Sequence, residues 1–312
     1  MRNSGLPSYL KLHHSGKLAA RVEMARALLK GCHVCPRRCG ANRLDGEVGE
    51  CLTAEEAIVS SYGPHFGEEP PLVGRYGSGT IFFTNCNLRC VFCQNYSISQ
   101  LGEGERVNSQ ELASMMLFLQ GRGCHNVNLV SPTHVVPQIL EALQIAIESG
   151  LRIPLVYNSG GYDSIETLRI LDGIVDIYMP DMKYSDEDTA KELSGVENYP
   201  QVNKAAVEEM HRQVGDLETD QEGVARRGLL VRHLVLPNRL AGTKEVVDFL
   251  AKEISSNTYV NIMAQYHPCY KAHDIPSLAT RISRAEVQEA VELARQAGLS
   301  RLDKAKSIIL QF

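Results

Sequence analysis

Gly79-Thr80-Ile81-Phe82-Phe83-Thr84-Asn85-Cys86-Asn87-Leu88-Arg89-Cys90-Val91-Phe92-Cys93-Gln94-Asn95 joins an apolar, β-branched run to three cysteines spaced C-x3-C-x2-C. The run from Thr80 to Thr84 predicts a strand, and the thiols crowd the loop that leaves it. A cubane [4Fe–4S] cluster has four irons and is ordinarily held by four cysteines. Three ligands leave one iron for a group that is not protein, which turns an electron carrier into a catalyst. Structural zinc is the competing reading, but it takes four ligands, commonly in close pairs. No fourth cysteine lies within thirty residues of this triplet.

Downstream of this stretch, short apolar runs alternate with helical periodicity. Strands are expected at about 80–84, 126–131, 153–157, 174–179, 229–236 and 258–263. Helices are expected near 109–121, 135–149, 164–172, 186–213 (broken at Gly195 and Pro200), 243–256 and 283–297. Strands alternating with amphipathic helices indicate parallel βαβ units in an α/β fold. Six units suit a partial (β/α)6 barrel, and an open doubly wound sheet has the same periodicity. Upstream, residues 9–30 read as one amphipathic helix and 63–79 as a Gly/Pro loop or linker; the acidic run 215–223 reads as a mobile surface loop. The expected division is a small N-terminal Cys-rich metal-binding extension, 1–75, and a core barrel, 76–312.

Parallel α/β folds gather their chemistry at the C-terminal ends of the strands. Those ends carry Ser131-Pro132-Thr133-His134, Tyr157-Asn158-Ser159-Gly160, Pro180-Asp181-Met182-Lys183, Arg232-His233 and Gln265-Tyr266-His267. The thiol loop, with an aromatic residue before its last cysteine, resembles the core of the radical S-adenosylmethionine (radical SAM) enzymes. Cys32-His33-Val34-Cys35-Pro36-Arg37-Arg38-Cys39, Gly49-Glu50-Cys51 and Gln94-Asn95-Tyr96 are similar to a branch described as homologues of pyruvate formate-lyase activating enzyme. The resemblance implies a radical SAM barrel in which Cys86, Cys90 and Cys93 hold a [4Fe–4S] cluster coordinated by S-adenosylmethionine. It implies reductive cleavage of that cofactor to a 5′-deoxyadenosyl radical, with electrons from a donor such as flavodoxin or ferredoxin. The substrate expected is a glycyl-radical enzyme, another protein or a small molecule. Phe92, Ser131, Thr133, Asn158 and Asp181 are the expected cofactor-binding residues. Ser131-Pro132-Thr133 stands where activating enzymes have Gly-Gly-Glu, and Asp181 falls in a segment similar to their Leu-Asp-Leu-Lys. A non-catalytic iron–sulfur or zinc protein, for electron transfer or scaffolding, is the alternative of a different class.

A second cysteine set, Cys32, Cys35, Cys39 and Cys51, is spaced C-x2-C-x3-C-x11-C. Four thiolates close a zinc site or hold an auxiliary [4Fe–4S] cluster. Cys124 and Cys269 stand apart and read as structural, as do His134, His233 and His267. Clustered thiols without a secretory leader predict a reducing, cytoplasmic location. No run reaches the 18 apolar residues of a membrane span. A net charge of -5 argues against nucleic-acid binding.

Overall fold

The computed structural model of the protein describes residues 6–303. Its strands are β1 (Ala57–His65), β2 (Ser78–Phe83), β3 (Glu105–Val107), β4 (Val127–Val130) and β5 (Leu155–Ser159). They continue as β6 (Ile177–Pro180), β7 (Glu218–Thr219), β8 (Ala225–Leu234), β9 (Tyr259–Met263) and β10 (Arg301–Leu302). Strands β2, β4, β5, β6, β8 and β9 lie side by side in that order, all parallel, with β10 added beside β9. Every residue of β5 and β6 is buried, as parallel strands covered on both faces require.

Each of these strands neighbours its predecessor, without the reversal of order that defines a doubly wound sheet. Single winding is therefore the outcome. Phe82 of β2 and Met263 of β9 line one cavity, although five strand spacings, about 24 Å in a flat sheet, separate their strands. The sheet is curled, and it stays unclosed: the outer edge of β2 pairs with antiparallel β1, which pairs in turn with β3.

The helices are α1 (Tyr9–His14), α2 (Lys17–Ala27), α3 (Pro70–Val73), α4 (Tyr96–Ser99), α5 (Ser109–Gly121) and α6 (Val136–Glu148). After them come α7 (Ile165–Ile170), α8 (Glu187–Ser194), α9 (Tyr199–Val214), α10 (Thr243–Phe249) and α11 (Arg284–Gln296). Helix α5 starts where predicted because Asn108 accepts from the Glu111 amide at 2.9 Å and Glu111 accepts in return from the Asn108 amide at 2.8 Å.

Three sequence expectations give way. The helix over 9–30 is two helices, because Gly16 takes φ +72° between them. The stretch 63–79 is no linker: it holds the end of β1, all of α3 and the start of β2. Within 215–223, β7 pairs antiparallel with β8. No helix among the described residues is long and apolar enough to cross a membrane.

Buried histidines pin the core. His233 Nδ1 donates to the Met182 carbonyl at 2.7 Å, and its Nε2 accepts from Thr243 at 2.9 Å. Burial pushes its pKa down to about 4. The unfolded chain then takes up a proton near pH 6.5 that the folded chain refuses, so this stabilisation is full above about pH 6.5 and is lost as pH falls towards 4. His233→Gln is expected to flatten the acid-side dependence of unfolding free energy by about one proton, measured by urea melts between pH 7.5 and 4.5. Identical slopes in the two proteins would exclude it.

Candidate active site

The thiol loop leaves β2 through Asn85, whose φ of +70° is a conformation asparagine tolerates. The Asn85 amide donates to Ile98 O at 2.9 Å, and its side-chain amide reaches Leu52 O and Thr53 Oγ1 at 3.1 and 3.2 Å. Arg89 N and Val91 N donate to Ser194 O and Leu193 O at the end of α8. Thus backbone from two other elements fixes the loop.

Its three thiols line one cavity of about 210 Å³, together with Ser131, Asn158, Asp181, Lys183 and Arg232. Cys90 Sγ lies 2.9 Å from Ser194 Oγ and Cys93 Sγ 3.1 Å from Ser99 Oγ, while Cys86 Sγ accepts from Leu88 N at 3.4 Å. Burial pushes the Cys86 thiol up to about 12, and the neighbouring Cys90 adds to the shift. Such a thiol ionises only with a cation or metal beside it. Among the described residues, no group of three His, Cys, Asp or Glu side chains is drawn into a metal cage. The donor set nonetheless suits a three-thiolate iron–sulfur site: three sulfurs on one wall, each with a donor within reach.

Phe92 lies in the same wall, edge-on to Tyr184 and Tyr266 with ring centroids 6.3 and 6.0 Å away. Asp181 accepts from Lys183 Nζ at 2.6 Å and from Arg232 Nε at 2.9 Å, and Arg232 Nη2 donates to Asn158 Oδ1 at 2.7 Å. Burial alone would raise the Asp181 carboxyl, but Arg232 and Lys183 outweigh it and hold the group below the usual carboxylate range. Ser131 reaches the cavity from a left-handed turn, φ +58°. Thr133 does not reach it. Its hydroxyl donates to Asp163, which also takes the Tyr157 and Ser159 hydroxyls at 2.8 and 2.6 Å. Asp163 is thus a buried knot that ties the ends of β4 and β5 together. Next to it, Gly161 has φ +74°, and a Cβ there would sit 2.1 Å from Asp181 O, so only glycine lets the β5 and β6 ends approach.

Cys32, Cys35, Cys39 and Cys51 lie near enough to influence one another's charge, without being drawn into a metal cage among the described residues. Burial pushes Cys35 up to about 12, with the Cys51, Cys32 and Cys39 charges adding to it. Beneath them Arg43 is wholly buried, donating to Ala54 O at 2.9 Å and His134 O at 2.7 Å, with Nη1 3.9 Å from Cys32 Sγ. Among the described residues it has no carboxylate partner, and its Nη2 has no hydrogen bond. This segment is laced to the thiol loop: Arg37 Nε donates to Asn87 O at 2.9 Å and Arg89 to Glu50 O. A Cβ on Gly49 would stand 2.4 Å from Cys39 Sγ. Gly49→Ala is therefore expected to displace that thiol and, if the four-cysteine set takes up metal as its spacing predicts, to lower the metal retained in a Cys86/Cys90/Cys93 triple-alanine background by at least half, read by metal analysis. Undiminished metal would show that Cys39 is not a ligand.

Cys124 and His134 are buried, and neither Cys269 nor His267 lines the thiol cavity. Sequence reasoning assigned no role to Ser99 and Asp163, which lie close in sequence to Cys93 and Ser159, nor to Ser194, which comes from α8, remote in sequence.

The family model described as the radical SAM superfamily matches residues 80–219, from the strand before the thiol loop to β7. The chain belongs to the radical SAM superfamily, enzymes that use S-adenosylmethionine and a [4Fe–4S] cluster. Within the curated proteins, it is 35% identical over 292 residues to the uncharacterized protein MJ0674 of Methanocaldococcus jannaschii, covering 90% of this chain and 79% of that one. A second protein of that organism, MJ0808, is 26% identical over 268 residues, covering 78% and 73%. Among solved structures, HydG, a maturase of the [FeFe]-hydrogenase, is 12% identical with a TM-score of 0.48, covering 70% of this chain and 48% of that one. Streptococcus suis SuiB bound to S-adenosylmethionine is 14% identical with a TM-score of 0.47, covering 68% and 45%. The chain thus spans less than half the length of either solved protein.

Proposed function

We propose that Cys86, Cys90 and Cys93 hold a [4Fe–4S] cluster through three irons and that S-adenosylmethionine completes the fourth. When bound and reduced by an external electron donor, such a cluster would supply the electron for reductive cleavage of S-adenosylmethionine to methionine and a hydrogen-abstracting 5′-deoxyadenosyl radical. The observation that carries this reading is the shared cavity: three thiols face the polar ends of β4, β5, β6 and β8.

The chain's own residues bind and orient. Ser194, Ser99 and the Leu88 amide stand beside the three sulfurs, where they can donate to metal-bound thiolates. Lys183 and Arg232, held in place by Asp181, offer two cations to the cofactor's carboxylate. Phe92 closes one wall and keeps water from the reacting centre. The resemblance to homologues of pyruvate formate-lyase activating enzyme favours a polypeptide as the hydrogen source, with a small molecule as the alternative.

We infer a second metal, zinc or an auxiliary [4Fe–4S] cluster, at Cys32, Cys35, Cys39 and Cys51. Arg43 supports it, because a buried guanidinium without a carboxylate is costly unless another anion faces it, and four metal-bound thiolates carry net negative charge.

The decisive test is anaerobic reconstitution with iron and sulfide, reduction with dithionite and measurement of 5′-deoxyadenosine. Formation upon reduction is expected. A fully reconstituted protein that binds S-adenosylmethionine yet yields none would overturn the reading.

A further inference from the structure

The thiol cavity continues into a larger one of about 460 Å³, with which it shares Asn158, Arg232 and Gln265. This space lies on the open side of the curled sheet, between the end of β9 and the connection from β1 to α3. Glu68 and Glu69 face it, with side chains 8% and 5% exposed. Glu69 Oε1 accepts from Asn261 Nδ2 at 3.0 Å, across the seam. Its Oε2 is buried and has no hydrogen-bond partner among the described residues. Arg232 forms a loose ion pair with the other oxygen, its Nε 4.0 Å from Glu69 Oε1, and gives its hydrogen bonds to Asp181 and Asn158, so it donates none to Oε2. Beside it, His65 Nδ1 lies 3.2 Å from Glu68 Oε1.

A buried carboxylate oxygen without a donor costs free energy in the empty protein, and a ligand's N–H that meets it recovers that cost. Two adjacent carboxylates further select a positive ligand over a neutral one. The volume is of the size that small-molecule sites occupy. We propose that this cavity is the substrate pocket and that it takes a protonated primary amine on a short alkyl chain, its ammonium donating to Glu69 Oε2 and Glu68. The proposal rests on the radical SAM reading above, which places the reactive centre at the neighbouring thiols. The same ammonium group is presented by a free alkyl diamine and by a lysine side chain.

Calorimetric titration of the reconstituted protein with 1,4-diaminobutane, 1,4-butanediol, succinate and a short lysine-containing peptide tests it. The diamine or the lysine peptide should bind saturably and about 10–100-fold more tightly than the diol, as a hydrogen bond to a charged group allows. The tighter of those two assigns the source of the amine. Glu69→Gln should lose about tenfold or more of the amine affinity, and Glu68→Gln provides a second reading should the first variant fold poorly. Equal affinity for diol and diamine, preference for succinate, or no amine binding in the wild type would overturn the proposal. Cys86→Ala should retain amine binding while losing S-adenosylmethionine cleavage, so the pocket and the cluster can fail separately.

Discussion

Cys90→Ala is expected to bring 5′-deoxyadenosine formation below detection and to strip iron from the loop after β2. Cys90 is buried, and its sulfur shares Ser194 Oγ with the Tyr184 hydroxyl, which lies 2.7 Å from that oxygen. On the proposed assignment, removing the thiol deletes one of three cluster ligands, and it leaves that hydroxyl pair facing an apolar hole. No other cysteine lines the cavity besides Cys86 and Cys93, so none can substitute. Ser194→Ala provides the graded companion. It keeps the ligand and removes only the hydroxyl beside it, a change typically worth about 10–100-fold in metal affinity or activity. Cys90→Ala turning over at the wild-type rate would disprove the ligand set.

Asp181→Asn should destabilise the folded protein by about 3–5 kcal/mol, the usual cost of leaving a buried ion pair with one sign unmatched. The reason is local: Lys183 Nζ at 2.6 Å and Arg232 Nη2 at 2.8 Å both lean on this carboxylate, with side chains 16% and 18% exposed. S-Adenosylmethionine affinity should fall with it, because the two cations then repel each other out of position. Lys183→Met added to Asp181→Asn removes one unmatched charge and should recover part of the loss, a coupling measurable in a double-mutant cycle. Denaturant melts of the four proteins check both statements. An Asp181→Asn protein within about 0.5 kcal/mol of wild type would show that the pair is solvated.

The core of this fold is legible in sequence because β-branched and apolar residues fill both faces of each parallel strand, and helices with clear periods follow them. Strand β5, Leu155-Val156-Tyr157-Asn158-Ser159, shows it well: the apolar run predicts the strand, and the polar end falls on the rim. Strand β1 is different. Ser60, Ser61, Gly63 and Pro64 give it an exposed, turn-like composition, and its existence depends on backbone pairing with β2. The site divides in the same way. Thiol spacing singles out Cys86, Cys90 and Cys93, since metal ligands close together in a loop are close together in space. Burial of charge carries no such local signal: Glu68-Glu69-Pro70 reads as part of a loop or linker until tertiary packing encloses Glu69. Thr133 shows the converse, a rim residue by strand position whose hydroxyl turns inward to Asp163.

Among the described residues, the unclosed sheet has two outer edges. One ends in the three-residue strand Glu105-Arg106-Val107, the other in the two-residue strand Arg301-Leu302. Short strands bearing charge expose few spare amides and resist stacking against a second molecule. The gap can therefore admit guests without becoming a seed for fibrils.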